Sequence, residues 1–500
     1  MIKKIFATAV LATLGFGSLA GSPDRVPVQP LLTLRSFGAV GDGRTDDRAA
    51  ITAALHRAQG VPVDGEGLTY AVHGNIEVTT DVDFRHANLV QTMGPPDTQK
   101  FLQESGTLSV EPAAALRNTV KGLPVLRPDG IATYAGAVAP NEAELPGLIS
   151  GIVLRTLSVR GTDAKPLAVS LTKIRIDRGR HPDSGGRNDG AGIHLTHASP
   201  VRIVDTVITG DGKGTGIMIS QCSRVRIERV HIHDMNWAPY AGDDIFGRLS
   251  AAEVRDDFGW NNFPISEWRG ALKRFVWVRV QEQLVGIFVG QSQDVEIVDS
   301  RIERLQTRIG DELFPLQSDG ITIGQTKNIV VRNVDIEKAW EGIDFTGRSG
   351  QDFVFENCTV TDTIGWAFKL AHPKRNGRIV DCLAVRGGIA GFLVGAESEN
   401  VELIRCRAVE TAANGYWNAS DGRRLMETAG FRIQGVAGQA LPKGIRIRES
   451  SAHNRLHPGA IDYGILCDAA GPGRDITLVD FATSGAKIQG LKGIEIASGK

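Results

Sequence analysis

The feature that most constrains this chain is a strand–turn–strand unit that recurs every 22 to 25 residues wherever no loop intervenes. The windows VRIVDTVITGDGKGTGIMIS, VRIERVHIHDM, VEIVDSRIERL, IVVRNVDIEKAWEGIDFTG, FVFENCTVTDTIGWAFKLAH, GRIVDCLAVRGGIAGFLVG and VELIRCRAVETAANGYWN lie under one another. Each opens with apolar/polar alternation, the period of a strand. Each then turns at an Asn, Asp, Ser or Cys, gives a second short strand, and often ends in Gly-Ile-x-Ile. Gly342, Ala367, Gly391 and Gly415 take corresponding places, 25, 24 and 24 residues apart. A repeat of this length with short strands and no helix predicts a parallel β-solenoid. A leucine-rich repeat would need Leu-x-x-Leu-x-Leu and Asn at fixed offsets, which are absent. Successive coils stack at ~4.8 Å, so equivalent outward positions become neighbours in space. Cys358, Cys382 and Cys406 recur at the same period and read as an inward ladder of free thiols. Three thiols leave one over for pairing, and no His or Cys sits beside them at short ligand spacing.

Ahead of the coils, residues 37–58 read FGAVGDGRTDDRAAITAALHRA. The Gly-Asp-Gly turn leads to Thr45 as the predicted N-cap, with Asp46 and Asp47 in the first helical turn. Ile51, Ala54, Leu55 and Ala58 form an apolar stripe at helical spacing. The open end of a solenoid is an exposed apolar face, which such a helix would cover. Residues 1–20 have the basic start, apolar run and small residues of a secretory signal peptide. The expected order is a signal peptide at 1–20, a cap segment at 21–60 and a solenoid over 61–500, with an aromatic-rich loop at about 245–280. Residues 91–190 read as early coils with irregular loops. No segment is long and apolar enough to be a membrane span. The expected location is secreted or periplasmic, after cleavage near Ala20.

FGAVGDGRTDD, followed by a short helix and β coils, resembles the N-terminal cap of the pectate-lyase-like superfamily. That superfamily includes polygalacturonases, rhamnogalacturonases, alginate epimerases and phage tailspikes. The resemblance implies an all-β chain: a single-stranded right-handed parallel β-helix with an N-terminal capping helix. It also implies a protein that cleaves or modifies acidic polysaccharides.

The chemistry sits in two columns. The position just before Gly in each Gly-Ile-x-Ile window holds Thr215, Val285, Asp319, Glu341 and Trp366, and Asp243 is a further candidate. The first x holds His194, Met218, Phe288, Thr322, Asp344 and Lys369. If the Ile residues point inward, the x residues point outward. Asp319 and Glu341 then lie one coil apart, as do Asp344 and Lys369, with Arg348 and His372 on the same coils. Stacked carboxylates repel, so at least one pKa should rise, as a general acid needs. Singly, each has an ordinary explanation, since Asp or Glu before Gly is a common turn choice and Asp–Lys pairs are common between strands. Gln317-Ser318-Asp319-Gly320 resembles the Asn-Thr-Asp motif of polygalacturonase-like hydrolases, and Phe368-Lys369-Leu370 resembles their Arg-Ile-Lys. Their Gly-His-Gly motif is missing. Alginate-lyase-like β-helices use a Lys and an Arg one coil apart beside acids that hold calcium. By that resemblance Arg348 and Lys369, with Glu341 and Asp344, take those parts.

The catalytic candidates are therefore Asp319, Glu341, Asp344 and Lys369. The substrate-binding candidates are Arg348, His372, Arg375, Asp243, Trp260 and Trp268. Arg375 belongs to a basic stretch, KLAHPKRNGR, read as a loop beside the acidic column. Trp260 and Trp268 stand in the aromatic loop, where rings stack on sugars or pack the loop itself. His231, His233 and Asp234 resemble metal ligands, but no further ligand is evident and no metal site is expected there. No cofactor is required, and Ca2+ enters only with a lyase.

Composition narrows the partners. Lys plus Arg is 56 against 57 Asp plus Glu, and without residues 1–20 the balance is 54 − 57 = −3. A nucleic-acid binder would be strongly basic. The expected partner is a polysaccharide substrate, cut by carboxylate-based hydrolysis. The rivals are β-elimination by a lyase and a non-catalytic sugar-binding solenoid. The oligomeric state is not encoded legibly.

Overall fold

The structure, a computed structural model, describes residues 31–91, 155–179, 190–210, 214–237, 284–309, 318–415, 427–435, 439–467 and 475–492, and the backbone of the short strands 124–126, 132–134, 137–138 and 312–314. The named candidates Asp243, Trp260 and Trp268, the aromatic loop and the signal segment lie outside the described residues. All described elements belong to one unit, Leu32–Lys500.

One turn of the winding shows how the sequence makes it. Glu341–Phe345 lies on a first face, Gly350–Glu356 on a second and Thr359–Thr361 on a third. Trp366–Leu370 then returns to the first face one coil further on. The first face is a 12-stranded parallel sheet from Ile76–Val78 to Ala486–Lys492. The second and third faces join, with N-terminal strands, in a 25-stranded sheet. Stacking is in register: Ile321 pairs with Ile343, Ile343 with Phe368, and Phe368 with Phe392.

The corners are made by single residues in the left-handed region. Between the second and third faces these are Asn333, Asn357, Asp381 and Arg405, with φ from 51° to 53°. Asn and Asp tolerate that region because their short polar side chains bond locally. Here the side chains also tie coil to coil: Asn357 Nδ2 donates to Asn333 Oδ1 at 2.8 Å, and Arg405 Nε to Asp381 Oδ1 at 2.6 Å. The next residue is Val334 in the first of these corners and a cysteine in the other three. Cys358, Cys382 and Cys406 are free and buried. Their thiols donate to the carbonyls of Val331, Phe355 and Ile379 at 3.5, 3.6 and 3.3 Å. Burial pushes the Cys406 thiol up to about 12. The inward thiol ladder is as the spacing predicts.

The core is a column of Ile, Val, Leu and Phe at 0–6% exposure along the axis. Register puts like on like, so Phe368, Phe392 and Phe431 stack face to face at 4.9 and 4.8 Å. A helix, α1 (Arg48–Ala58), packs against Ile76–Val78 and buries Ile51, Ala54, Leu55 and Ala58.

Three sequence expectations need correction. The N-cap of α1 is Asp47, not Thr45. The Asp42 carboxylate takes the Arg44 and Thr45 amides at 2.8 and 2.7 Å, and Thr45 Oγ1 donates to it as well. That Asx-type turn removes Thr45 from capping. Asp47 spends its side chain on the Val40 and Gly41 amides, closing the glycine turn. Gly415 is not in the glycine column; the residue that stacks on Gly391 is Gly430, because Phe392 pairs with Phe431. The chain leaves the coil at Thr411 and returns at Ala429, so the winding tolerates an insertion at this corner. Within 91–190, Arg155–Arg160 and Leu167–Asp177 are coil strands, but Pro124–Leu126, Ala132–Tyr134 and Ala137–Val138 form a small antiparallel sheet.

Candidate active site

The Gly-Ile pair explains why two columns converge. Ile343 is fully buried, and a Cβ on Gly342 would meet Val360 Cγ1 of the third face at 2.4 Å. Both residues therefore face the core, which breaks simple alternation. The flanking residues, Glu341 and Asp344, then share the other side of the strand. The same arrangement holds one coil earlier, where Thr322 Oγ1 donates to Asp319 Oδ2 at 2.9 Å across Gly320-Ile321.

Register does the rest. Asp319 pairs with Glu341, and Asp344 sits between Thr322 and Lys369. Lys369 Nζ donates to Glu341 Oε1 and Oε2 at 2.9 and 2.8 Å and to Asp344 Oδ2 at 3.4 Å. Carboxylate oxygens of Asp319, Glu341 and Asp344 all lie within 4.8 Å of one another. The indole of Trp366 lies under the ammonium, 5.0 Å from Nζ to the ring centroid.

The cluster is sheltered. Glu341 and Asp344 are 4% and 5% exposed, and Asp344 Oδ1 has no hydrogen-bond partner. Asp319 and Lys369 are half-buried. Burial pushes the Glu341 carboxyl well above the usual range; the Asp344 and Asp319 charges add to this and Lys369 opposes it. Burial works against the Lys369 ammonium, but the Asp344 and Glu341 charges outweigh it and hold the proton on. Three acids face one cation in this cluster, and burial with the neighbouring carboxylates favours the neutral form of Glu341.

The rim residues divide. Arg348 is exposed in the turn after Glu341–Phe345. His372 stands in the equivalent turn one coil on, with φ 63°. Burial pushes its imidazole down, and Lys374, Arg348 and Lys369 push the same way. The expected basic loop, however, is a strand. The chain turns at Ala371–Pro373 and enters Lys374–Val380 on the second face, so Arg375 leaves the site and pairs with Glu399 at 3.4 Å. Lys374 is buried inside the corner. Its Nζ donates to the carbonyls of Gly347 at 2.6 Å and of Ala371, and lies 4.8 Å from the Phe345 ring centroid. Burial pushes this ammonium down to about 7. Lys374 thus ties together the two turns that carry Arg348 and His372.

His231, His233 and Asp234 have partners within the protein. His231 Nε2 faces Glu303 at 3.0 Å, and Arg304 holds Asp234 at 2.6 Å. The acidic cluster also fits calcium poorly as arranged. Calcium takes six to eight oxygens, whereas both Glu341 oxygens here lie on an ammonium. Sequence reasoning did not select Thr322, Trp366 or Lys374 for the site. The first two stood in the correct columns, and only the pairing geometry marks them.

Residues 275–425 match a family model described as a right-handed β-helix region. A comparison with curated proteins found no match. Among solved structures, the chain is similar to an endo-xylogalacturonan hydrolase from Aspergillus tubingensis, at 12% identity and TM-score 0.45 over 92% of this chain and 95% of that one. It is similar to a family 28 exopolygalacturonase from Yersinia enterocolitica at 13% identity and TM-score 0.45, over 94% and 79%. It is similar to the A-module of a mannuronan C-5 epimerase from Azotobacter vinelandii at 13% and TM-score 0.40, over 94% and 100%. The fold is a parallel β-helix, and residues 275–425 fit the right-handed β-helix description. No helix among the described residues is long and apolar enough to cross a membrane.

Proposed function

We propose that this protein is a secreted or periplasmic enzyme that hydrolyses glycosidic bonds in an acidic polysaccharide. The observation that carries the reading is the sheltered set of three carboxylates around one ammonium on successive coils of one sheet. A protonated Glu341 donates to the departing glycosidic oxygen as general acid. Asp319 and Asp344 lie close enough to share one water, since two hydrogen bonds of roughly 2.8 Å span up to about 5.6 Å. They hold that water and take its proton as it attacks the anomeric carbon. Lys369 holds Glu341 and Asp344 in place and, with Arg348, meets acidic groups on the sugar. No step needs a metal.

A second reading has one specific observation behind it. His372 is pushed toward the neutral form beside Arg348, as a base removing a proton next to a uronate carboxylate would require. Lys369 is a poor candidate for that base, because its neighbours hold its proton. The test is digestion of a panel of plant and bacterial polysaccharides, with product masses measured. Hydrolysis adds one water per cut and gives new reducing ends, whereas elimination gives an ultraviolet-absorbing unsaturated uronate. Asp319→Asn, Glu341→Gln and Asp344→Asn should each abolish cutting. No cutting of any polymer by the native chain would leave a sugar-binding solenoid and remove the enzymatic reading.

A further inference from the structure

The corner between the first and second faces carries a second column that the cluster does not use. An open groove of about 590 Å³ runs along it, from Thr162 and Asp163 through His197, Gln221 and Gln291 to Gln325 and Ser349. Those positions fall on six successive coils, five steps of ~4.8 Å, so the groove is about 24 Å long. It ends at the residue after Arg348, on the coil of Glu341 and Asp344.

Its chemistry is uniform. Gln221, Gln291, Gln293 and Gln325 are exposed, with Ser199 and Ser223 between them. Ser223 Oγ already donates to Ser199 Oγ at 2.8 Å. Among the described residues the four glutamine amides make no side-chain hydrogen bond. Asp163 lies 2.8 Å from His197, and Lys327 also lines the groove, so the lining carries one carboxylate and one ammonium. Among the described residues no Phe, Tyr or Trp lines it.

The backbone does not explain the glutamines. Gln221 and Gln291 have φ 54° and 47°, a region where Asn and Asp are the tolerated side chains. At other left-handed positions this chain uses Asn and Asp, as in Asn328, Asn357 and Asp381, and also long polar side chains, as in Lys173, Arg224, Glu397 and Arg405. The longer side chain adds reach, and each amide offers two donors and an acceptor to the groove.

We propose that this groove binds a neutral, hydroxyl-rich stretch of glycan. The amide row hydrogen-bonds sugar hydroxyls over several units, while the carboxylate cluster meets the acidic unit. The inference rests on the hydrolase reading and extends it: the substrate is a heteropolysaccharide in which neutral sugars flank the acidic one.

The test is affinity electrophoresis of the full chain in native gels containing dextran, galactomannan, a mixed-linkage β-glucan, alginate or polygalacturonate. At least one neutral polymer should retard the native protein. The triple variant Gln221→Ala, Gln291→Ala, Gln325→Ala, changed only at exposed sites, should bind that polymer about tenfold or more weakly, since several hydrogen bonds are lost. Glu341→Gln should leave the retardation in place. Retardation without cutting of any polymer supports the groove and removes the hydrolase reading alone. If no neutral polymer retards the native protein, or if the triple variant is retarded as strongly, the groove proposal is overturned even where cutting persists.

Discussion

At the scale of the residue, the account turns on where one proton resides. Glu341 has a folded-state pKa raised above its unfolded value. Its contribution to stability is therefore present below the unfolded pKa, roughly 4.3, and is lost as pH rises through the raised value. Activity should follow the same limb. Reaction rate against pH should fall on the alkaline side as Glu341 deprotonates, and Glu341→Gln should lower kcat by about 100-fold or more. A rate that keeps rising through that limb would assign the acid elsewhere. Lys369→Met removes the cation from two sheltered carboxylates. Leaving such charges without their partner costs about 3–5 kcal/mol when burial is complete, and the partial exposure of Lys369 reduces that figure. Thermal unfolding should show a Tm lower by several degrees, and raising the pH should make the loss larger as the acids ionise.

At the scale of the element, the site is a consequence of Gly-Ile facing inward together. A Cβ at Gly342 would meet the Ala367 carbonyl at 2.3 Å and Val360 at 2.4 Å. Gly342→Ala should destabilise the fold by about 1–3 kcal/mol, measured by denaturant midpoint. It should also lower activity, because Glu341 and Asp344 lose their common side. The same element shows what a sequence can and cannot reveal. Period and alternation were enough to put Asp319 over Glu341 and Asp344 over Lys369, because coil stacking converts a spacing of about two dozen residues into adjacency. They were not enough for Lys374 and Arg375. Those residues follow a corner at Ala371–Pro373, and corner geometry decides which face they join. Gly415 failed for a related reason: an insertion at a corner resets the count without disturbing the winding. The capping helix stripe was legible from its spacing, whereas its N-cap was not, since the turn's geometry decides that Asp42 takes the Arg44 and Thr45 amides, Asp46 that of Arg48, and Asp47 those of Val40 and Gly41.

At the scale of the whole molecule, the winding makes a dry axis and leaves chemistry to its outer faces. Cys222, Cys358, Cys382, Cys406 and Cys467 are all free and buried. A thiol reagent should find almost no reactive cysteine in the native protein and all five after unfolding; fast labelling of the native chain would contradict the inward ladder. The ammonium on Glu341 occupies the place a cation would take, so a strong chelator should leave the reaction rate unchanged, measured on whichever polymer is cut. The central claim is that three carboxylates on two adjacent coils, with the Lys369 ammonium on the next, drive water onto a glycosidic bond. The most direct measurement is digestion in water labelled with heavy oxygen, followed by product mass spectrometry for the native chain and for Asp344→Asn. The account predicts one label per new reducing end in the native digest and no products from the variant. Unlabelled unsaturated products, or labelled cutting that survives Asp344→Asn, would contradict it.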